Sequence, residues 1–248
     1  MKLDDVKKLH QKKYRSQFGY YLVEGEHLIL ELQKTVHHAD EASEITLYVT
    51  ESNHEWAKQL TAGFEMVVVS DKQMAQLSDT KSPQGMIAKV PLIRAKANIE
   101  ATHKQPKRCI YLHEVQDPGN LGTIIRTLAW FGQFKLLLSP NSVDPYNSKV
   151  VRASMGAIFS LPIEFDVALE TLPERFANFA YLDLQGSAVS TPSFADFECY
   201  LFGNEARGVP HAALSQFNAK PYTIPGTGTI DSLNLASSVS ICAYQLSI

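Results

Sequence analysis

Three stretches of this 248-residue chain share one construction, in which an apolar run passes directly into a turn rich in Gly and Asn. They are Asp117-Pro118-Gly119-Asn120-Leu121-Gly122, Phe202-Gly203-Asn204-Glu205-Ala206-Arg207-Gly208 and Ile224-Pro225-Gly226-Thr227-Gly228-Thr229-Ile230-Asp231-Ser232-Leu233-Asn234. The first feeds a helical pattern with Leu121, Ile124, Ile125, Leu128 and Ala129 on one face and Gly132 at its end. Arg126 lies off that stripe, about one turn into the helix. From there a guanidinium can reach back over the glycine turn, where free backbone N–H groups and the helix dipole also favour an anion. An arginine on a solvated helix face is the plainer reading of the same position. Glu205, between two glycines and beside Arg207, is by itself an ordinary surface carboxylate. Ser232 can cap the helix that carries Leu235, Val239, Cys242 and Leu246, leaving Asn234 in its first turn.

The elements that position these loops follow from periodicity. Cys109–Leu112, Phe134–Leu138, Ala180–Leu184, Cys199–Phe202 and Pro221–Ile224 are near-continuous apolar runs alternating with helical segments, which predicts a parallel sheet covered on both faces. In such sheets ligands bind beyond the carboxyl ends of the strands, so three such loops imply one rim site. Earlier in the chain, strands are predicted at Tyr20–Val23, Ile45–Val49, Met66–Val69 and Met86–Val90. Helices are expected over 26–37, 53–62 and 71–77, with N-cap chemistry at Asn53 and Ser70-Asp71. The polar, aperiodic stretch between them reads as a linker, which divides the chain into residues 1–95, a linker at 96–106, and residues 107–248. Ala236, Ser240 and Ala243 form a small-residue face on the last helix, suited to close approach by another helix.

Composition removes other classes. The chain is 45% hydrophobic and 20% charged, which excludes disorder and coiled coil, and its longest apolar runs fall far short of the roughly 20 residues of a membrane span. The first residues carry neither an apolar signal core nor transit-peptide character, so the expected setting is cytoplasmic, with no membrane partner. Cys109, Cys199 and Cys242 are too scattered for a disulfide framework and read as buried thiols. No H-E-x-x-H, C-x-x-C, G-x-S-x-G or G-x-G-x-x-G pattern occurs, so no metal site is expected. Net charge is −3, yet residues 1–20 hold six basic against two acidic groups, a local basic patch or a solvated helix face. Unaided, these features describe an α/β enzyme or binding protein with a rim site of Gly, Asn, one Arg and one Glu.

The three loops, in this order and spacing, resemble the signature motifs of the SpoU (TrmH-like) family of S-adenosylmethionine-dependent RNA 2′-O-ribose methyltransferases, in the SPOUT superfamily. Lys149–Ala157 looks like a segment of its rRNA-type members, and Tyr14-Arg15, Leu22–Gly25 and Pro83–Gly85 look like its N-terminal substrate-binding domain. The resemblance implies a small N-terminal α/β substrate-binding domain and a C-terminal α/β-knot domain, a parallel sheet tied into a trefoil. It implies catalytic roles for Arg126, Asn120, Glu205, Ser232 and Asn234. S-adenosyl-L-methionine would lie against Phe202, Gly203, Asn204, Gly208, Ile224, Pro225 and Leu233. RNA, rRNA before tRNA, would be gripped with the help of Lys12, Lys13, Arg15 and Arg152. A homodimer through the C-terminal domain is also implied, with the small-residue face as a contributor. Gly226 departs from the family, which usually has Met there. The alternative is an RNA-binding or ribosome-assembly protein that keeps the fold without catalysis.

Overall fold

The computed structural model describes residues 1–92 and 106–248 and divides into two compact units. The expected linker, 96–106, lies outside the described residues except for Pro106. Unit 1 begins with α1 (Leu3–Lys8) and α2 (Lys12–Phe18), which seat Val6 and Leu9 in the core, fully buried. There follow β1 (Tyr20–Glu24), α3 (Glu26–Gln33), α4 (Ala39–Ser43), β2 (Thr46–Thr50), α5 (Glu51–Ala57), β3 (Glu65–Val69), α6 (Asp71–Leu77) and β4 (Met86–Pro91). The sheet order is β1-β4-β2-β3, with β4 antiparallel to both neighbours and β2 parallel to β3. Ser70 caps α6 in a full capping box with Gln73, as its position predicts. Asn53 is no cap. Helix α5 starts directly off β2 at Glu51, and the Asn53 amide donates to Thr50 Oγ1 at 2.9 Å and to the Gln84 carbonyl at 3.2 Å.

Residues 144–160 pack with unit 1 although they come from the second half of the chain. The buried Arg15 guanidinium pairs with Asp144 and donates to the carbonyls of Leu9 and His10 at 2.8 and 2.9 Å. The short helix Ser148–Ala153 is tied to Asp79, which accepts from Ser148 Oγ and, at 2.5 Å, from Arg152. This corrects one expectation. Arg15 is 3% exposed and spends its donors inside the protein, so it is a folding residue rather than an RNA contact. Arg152 is half-buried against Asp79, whereas Lys12 and Lys13 face solvent.

Unit 2 carries β5 (Arg108–Leu112), α7 (Pro118–Phe131), β6 (Phe134–Leu138), β7 (Ile163–Glu164), β8 (Phe179–Ala188), β9 (Cys199–Phe202), β10 (Ala219–Thr223) and α8 (Leu235–Gln245). Its six strands are parallel throughout, in the order β10-β8-β9-β5-β6-β7. Ile110, Tyr111, Leu112, Leu136, Leu137 and Leu201 have no exposed surface, which is why these strands read as unbroken apolar runs. Because β5 has β6 on one side and β9 on the other, the chain order reverses there and opens a crevice at the carboxyl ends of β5 and β9. Helix α8 packs on α7 with Ala236 and Ala243 buried and Ser240 Oγ 3.1 Å from Thr127 Oγ1. The small-residue face is therefore used inside the unit, since small side chains let the two helices approach, and it is not free for a second subunit. Among the described residues no helix is long and apolar enough to cross a membrane.

Candidate active site

Helix α7 starts at the first predicted loop. Asp117 is its N-cap, accepting from the Asn120 N–H at 2.7 Å, with Pro118 in the first turn and Gly132 closing the far end. Helix α8 starts at Asn234, whose Oδ1 accepts from the N–H groups of Ala236 at 2.9 Å and Ser237 at 3.3 Å. The cap is thus Asn234 and not Ser232, which lies exposed in the preceding loop. An Asn side chain two residues before a free N–H has the reach that Ser232, four residues before Ala236, lacks.

The second loop is closed on itself. Asn204 and Gly208 exchange backbone hydrogen bonds at 3.0 and 2.9 Å, and Asn204 Oδ1 accepts from the N–H groups of Ala206 and Arg207, both at 3.0 Å. A Cβ on Gly203 would run into the Gly208 backbone, and Gly208 itself has φ +68°, so both positions need glycine. This closure presents Glu205 to the first loop. Its Oε1 accepts from Asn120 Nδ2 at 3.3 Å and from the Asp117 N–H at 3.2 Å, and its Oε2 accepts from the Gln116 N–H at 3.1 Å.

One hydrogen-bonded chain then joins all three loops. Asn234 Nδ2 donates to Asn120 Oδ1 at 2.9 Å, and Asn120 Nδ2 donates to Glu205. Its direction is set at both ends: a carboxylate can only accept, and helix N–H groups can only donate. Both amides therefore have one allowed orientation. Around this chain lies a cleft of about 650 Å³, within the range of about 300–1,000 Å³ common for small-molecule sites. Phe202, Gly203, Asn204, Gly208, Ile224 and Leu233 line it, with Asn120, Glu205, Ser232 and Asn234. Pro225 lies just outside the lining, and Arg126 is exposed on α7, also outside it.

Two further lining residues escaped sequence reasoning. Asp183, on β8, lies 3.1 Å from His211 Nε2, and no local pattern marks either residue because only the sheet order brings them together. The cleft combines apolar wall from Leu182, Ile224 and Leu233 with the carboxylates of Asp183 and Glu205. An apolar wall for a base, beside carboxylates that accept from hydroxyls and favour a nearby positive charge, fits S-adenosylmethionine. Among the described residues no cluster could hold a metal ion. Nearby, burial holds the His113 imidazole below the usual histidine range.

A parallel sheet with a nucleoside-sized cleft at the carboxyl ends of its strands, in a chain that also carries a smaller α/β unit, is the architecture of a nucleotide-binding α/β protein. Residues 107–244 match the SpoU rRNA methylase family and residues 2–88 the MRM3-like substrate binding domain, and the chain belongs to the SpoU rRNA methylase family. It is 29% identical to the 23S rRNA (guanosine(2553)-2′-O)-methyltransferase RlmP of Bacillus subtilis over 99% of this chain and 95% of that protein. The crystal structure of an AdoMet-bound rRNA methyltransferase from Sinorhizobium meliloti is similar with a TM-score of 0.76 and 27% identity, over 98% of this chain and 93% of that one. The SpoU methyltransferase AviRb from Streptomyces viridochromogenes shares the fold with a TM-score of 0.82 at 22% identity, over 99% and 96% of the two chains.

Proposed function

We propose that this protein transfers a methyl group from S-adenosylmethionine to a ribose 2′-oxygen of large-subunit rRNA, as a cytoplasmic homodimer. The Glu205–Asn120–Asn234 chain is the observation that carries this reading, because it gathers three of the five motif side chains at one cleft in one fixed orientation. When bound, S-adenosylmethionine supplies an electrophilic methyl group on a sulfonium, which departs as a neutral thioether. Phe202, Gly203, Ile224 and Leu233 would hold it.

The work left to the protein is to align a weak nucleophile and ease the loss of its proton. Asn120 and Asn234 orient the ribose, held in register by Glu205. Arg126, whose exposed side chain makes no hydrogen bond or ion pair among the described residues, grips the neighbouring phosphate and stabilises the developing alkoxide. A guanidinium is effectively always protonated, so the proton passes to phosphate or water. Ser232 contributes a hydroxyl at the lip of the cleft. Lys12 and Lys13 on α2 offer phosphate contacts in unit 1, and the segment 224–234 forms part of the knot.

The dimer reading rests on a different face from the one the sequence suggests. Trp130 is 84% exposed on α7 and Tyr244 56% exposed on α8, with Ile241 and Ile248 also exposed. Large apolar side chains gathered on adjoining helices mark an interaction surface. The test of function is a comparison of ribose 2′-O-methyl maps of total RNA from cells with and without the gene. One large-subunit rRNA ribose should lose its methyl group, and the loss should persist when only Arg126→Ala protein is restored. An unchanged map would favour a non-catalytic RNA-binding protein.

A further inference from the structure

Arg207 is a charged residue of the cleft with no task in the chemistry above. Its side chain is 67% exposed, it lines the cleft, and its guanidinium pairs with the carboxylate of Glu114, whose side chain is 24% exposed. Among the described residues no other guanidinium lines the cleft, whose remaining charges include the carboxylates of Asp183 and Glu205.

The partner is held unusually. Glu114 has φ +51°, a left-handed conformation disfavoured for a residue with a Cβ. Three hydrogen bonds keep it there: its N–H donates to Ser139 Oγ at 2.7 Å, and its carbonyl accepts from Asn204 Nδ2 at 2.7 Å and Gln116 Nε2 at 3.0 Å. The same stretch of backbone sends the Gln116 and Asp117 N–H groups to Glu205. One short segment thus holds a carboxylate against Arg207 while it fixes the carboxylate that orients Asn120.

We propose that Arg207 is a substrate-phosphate contact at the rim of the active site, and that Glu114 occupies its guanidinium until RNA arrives. This rests on the RNA-methylating reading of the cleft. A rim that already carries Asp183 and Glu205 repels a phosphodiester unless a cation meets it. A guanidinium offers the fork of donors that phosphate oxygens take in pairs. With its side chain 67% exposed, Arg207 is solvated by water nearly as well as it is paired by Glu114, so its guanidinium exchanges readily for a phosphate. Glu114 then acts as an internal competitor and disfavours anions that bring no further contacts.

The two partners have opposite predicted effects, which a merely structural brace would not show. Binding of the full chain to an in vitro transcript of large-subunit rRNA is measured by filter retention across a series of salt concentrations. S-adenosylhomocysteine affinity is measured in parallel by calorimetry. Arg207→Ala should bind the transcript about tenfold more weakly, with a salt slope smaller by about one. Arg207→Lys should fall between, keeping the charge without the fork. Glu114→Gln should bind severalfold more tightly, and all three should keep the S-adenosylhomocysteine affinity. The proposal is overturned if Arg207→Ala leaves RNA binding unchanged, or if Glu114→Gln weakens it as Arg207→Ala does. It is equally overturned if Arg207→Ala loses S-adenosylhomocysteine while RNA binding holds, which would make the anion the carboxylate of the cofactor. If the unsubstituted chain binds no RNA, the functional reading falls and this proposal with it.

Discussion

At the scale of single residues, Asn234 holds two tasks that one substitution can separate. Its Oδ1 caps α8 and its Nδ2 orients Asn120. Asn234→Asp keeps the acceptor and removes the donor. Since Asp and Asn cap equally well, stability should stay within about 0.5 kcal/mol. The turnover number should nevertheless fall about a hundredfold, because Asn120 loses the bond that fixes its amide. Chemical denaturation and single-turnover methylation check the two halves. Arg126→Ala should lower methyl transfer by about 10²–10³-fold at unchanged S-adenosylhomocysteine affinity, since Arg126 lies outside the cleft lining. Arg126 stands out in the sequence by its place in a loop-helix pattern, whereas Asn120 takes a role there only through the family resemblance. The capping role of Asn234 was not, because Ser and Asn are both good caps and only the helix start decides between them.

At the scale of elements, the segment 144–160 depends on charged side chains buried against unit 1. Arg15 and Asp144 have side chains 4% and 13% exposed, and removing one partner of such a pair strands the other. Arg15→Ala should therefore cost about 3–5 kcal/mol of unit 1 stability, measured by urea unfolding. Asp79 gives the pH dependence. Burial would raise its carboxyl, but hydrogen bonds from Ser148 and Arg152 outweigh that and hold it below the usual carboxylate value. The unfolded chain then binds the proton more readily than the folded one. The contribution is complete above the unfolded value of about 3.9 and is lost as pH falls through the lowered folded value. Asp79→Asn should flatten the acid limb of stability against pH, and an unaltered limb would assign it elsewhere. The Arg15 result has a sequence-level cause: six basic residues among the first twenty read as a patch, and nothing local shows that one of them points inward.

At the scale of the whole molecule, the exposed Trp130 and Tyr244 carry the dimer prediction. Trp130→Asp should raise the dimer dissociation constant by about a hundredfold or more, as loss of an aromatic anchor worth about 2–4 kcal/mol does, read by light scattering across a dilution series. A species of unchanged mass at every concentration would place the interface on another face. What the sequence determined by itself was everything that acts over a few residues. The unbroken apolar strands follow from burial on both faces, the cap Ser70 from a side chain that reaches its own helix's N–H groups, and the glycines of the second loop from a turn that admits no Cβ. The three loops could be assigned to one rim because parallel strands put like ends together. The tertiary structure alone decided which partners meet across long separations: Glu205 with Asn120, Asn120 with Asn234, Arg207 with Glu114, Arg15 with Asp144, and α8 with α7 through the small-residue face. Sequence patterns carry periodicity and reach but no record of strand order, and strand order is what brings residues about a hundred positions apart to hydrogen-bonding distance.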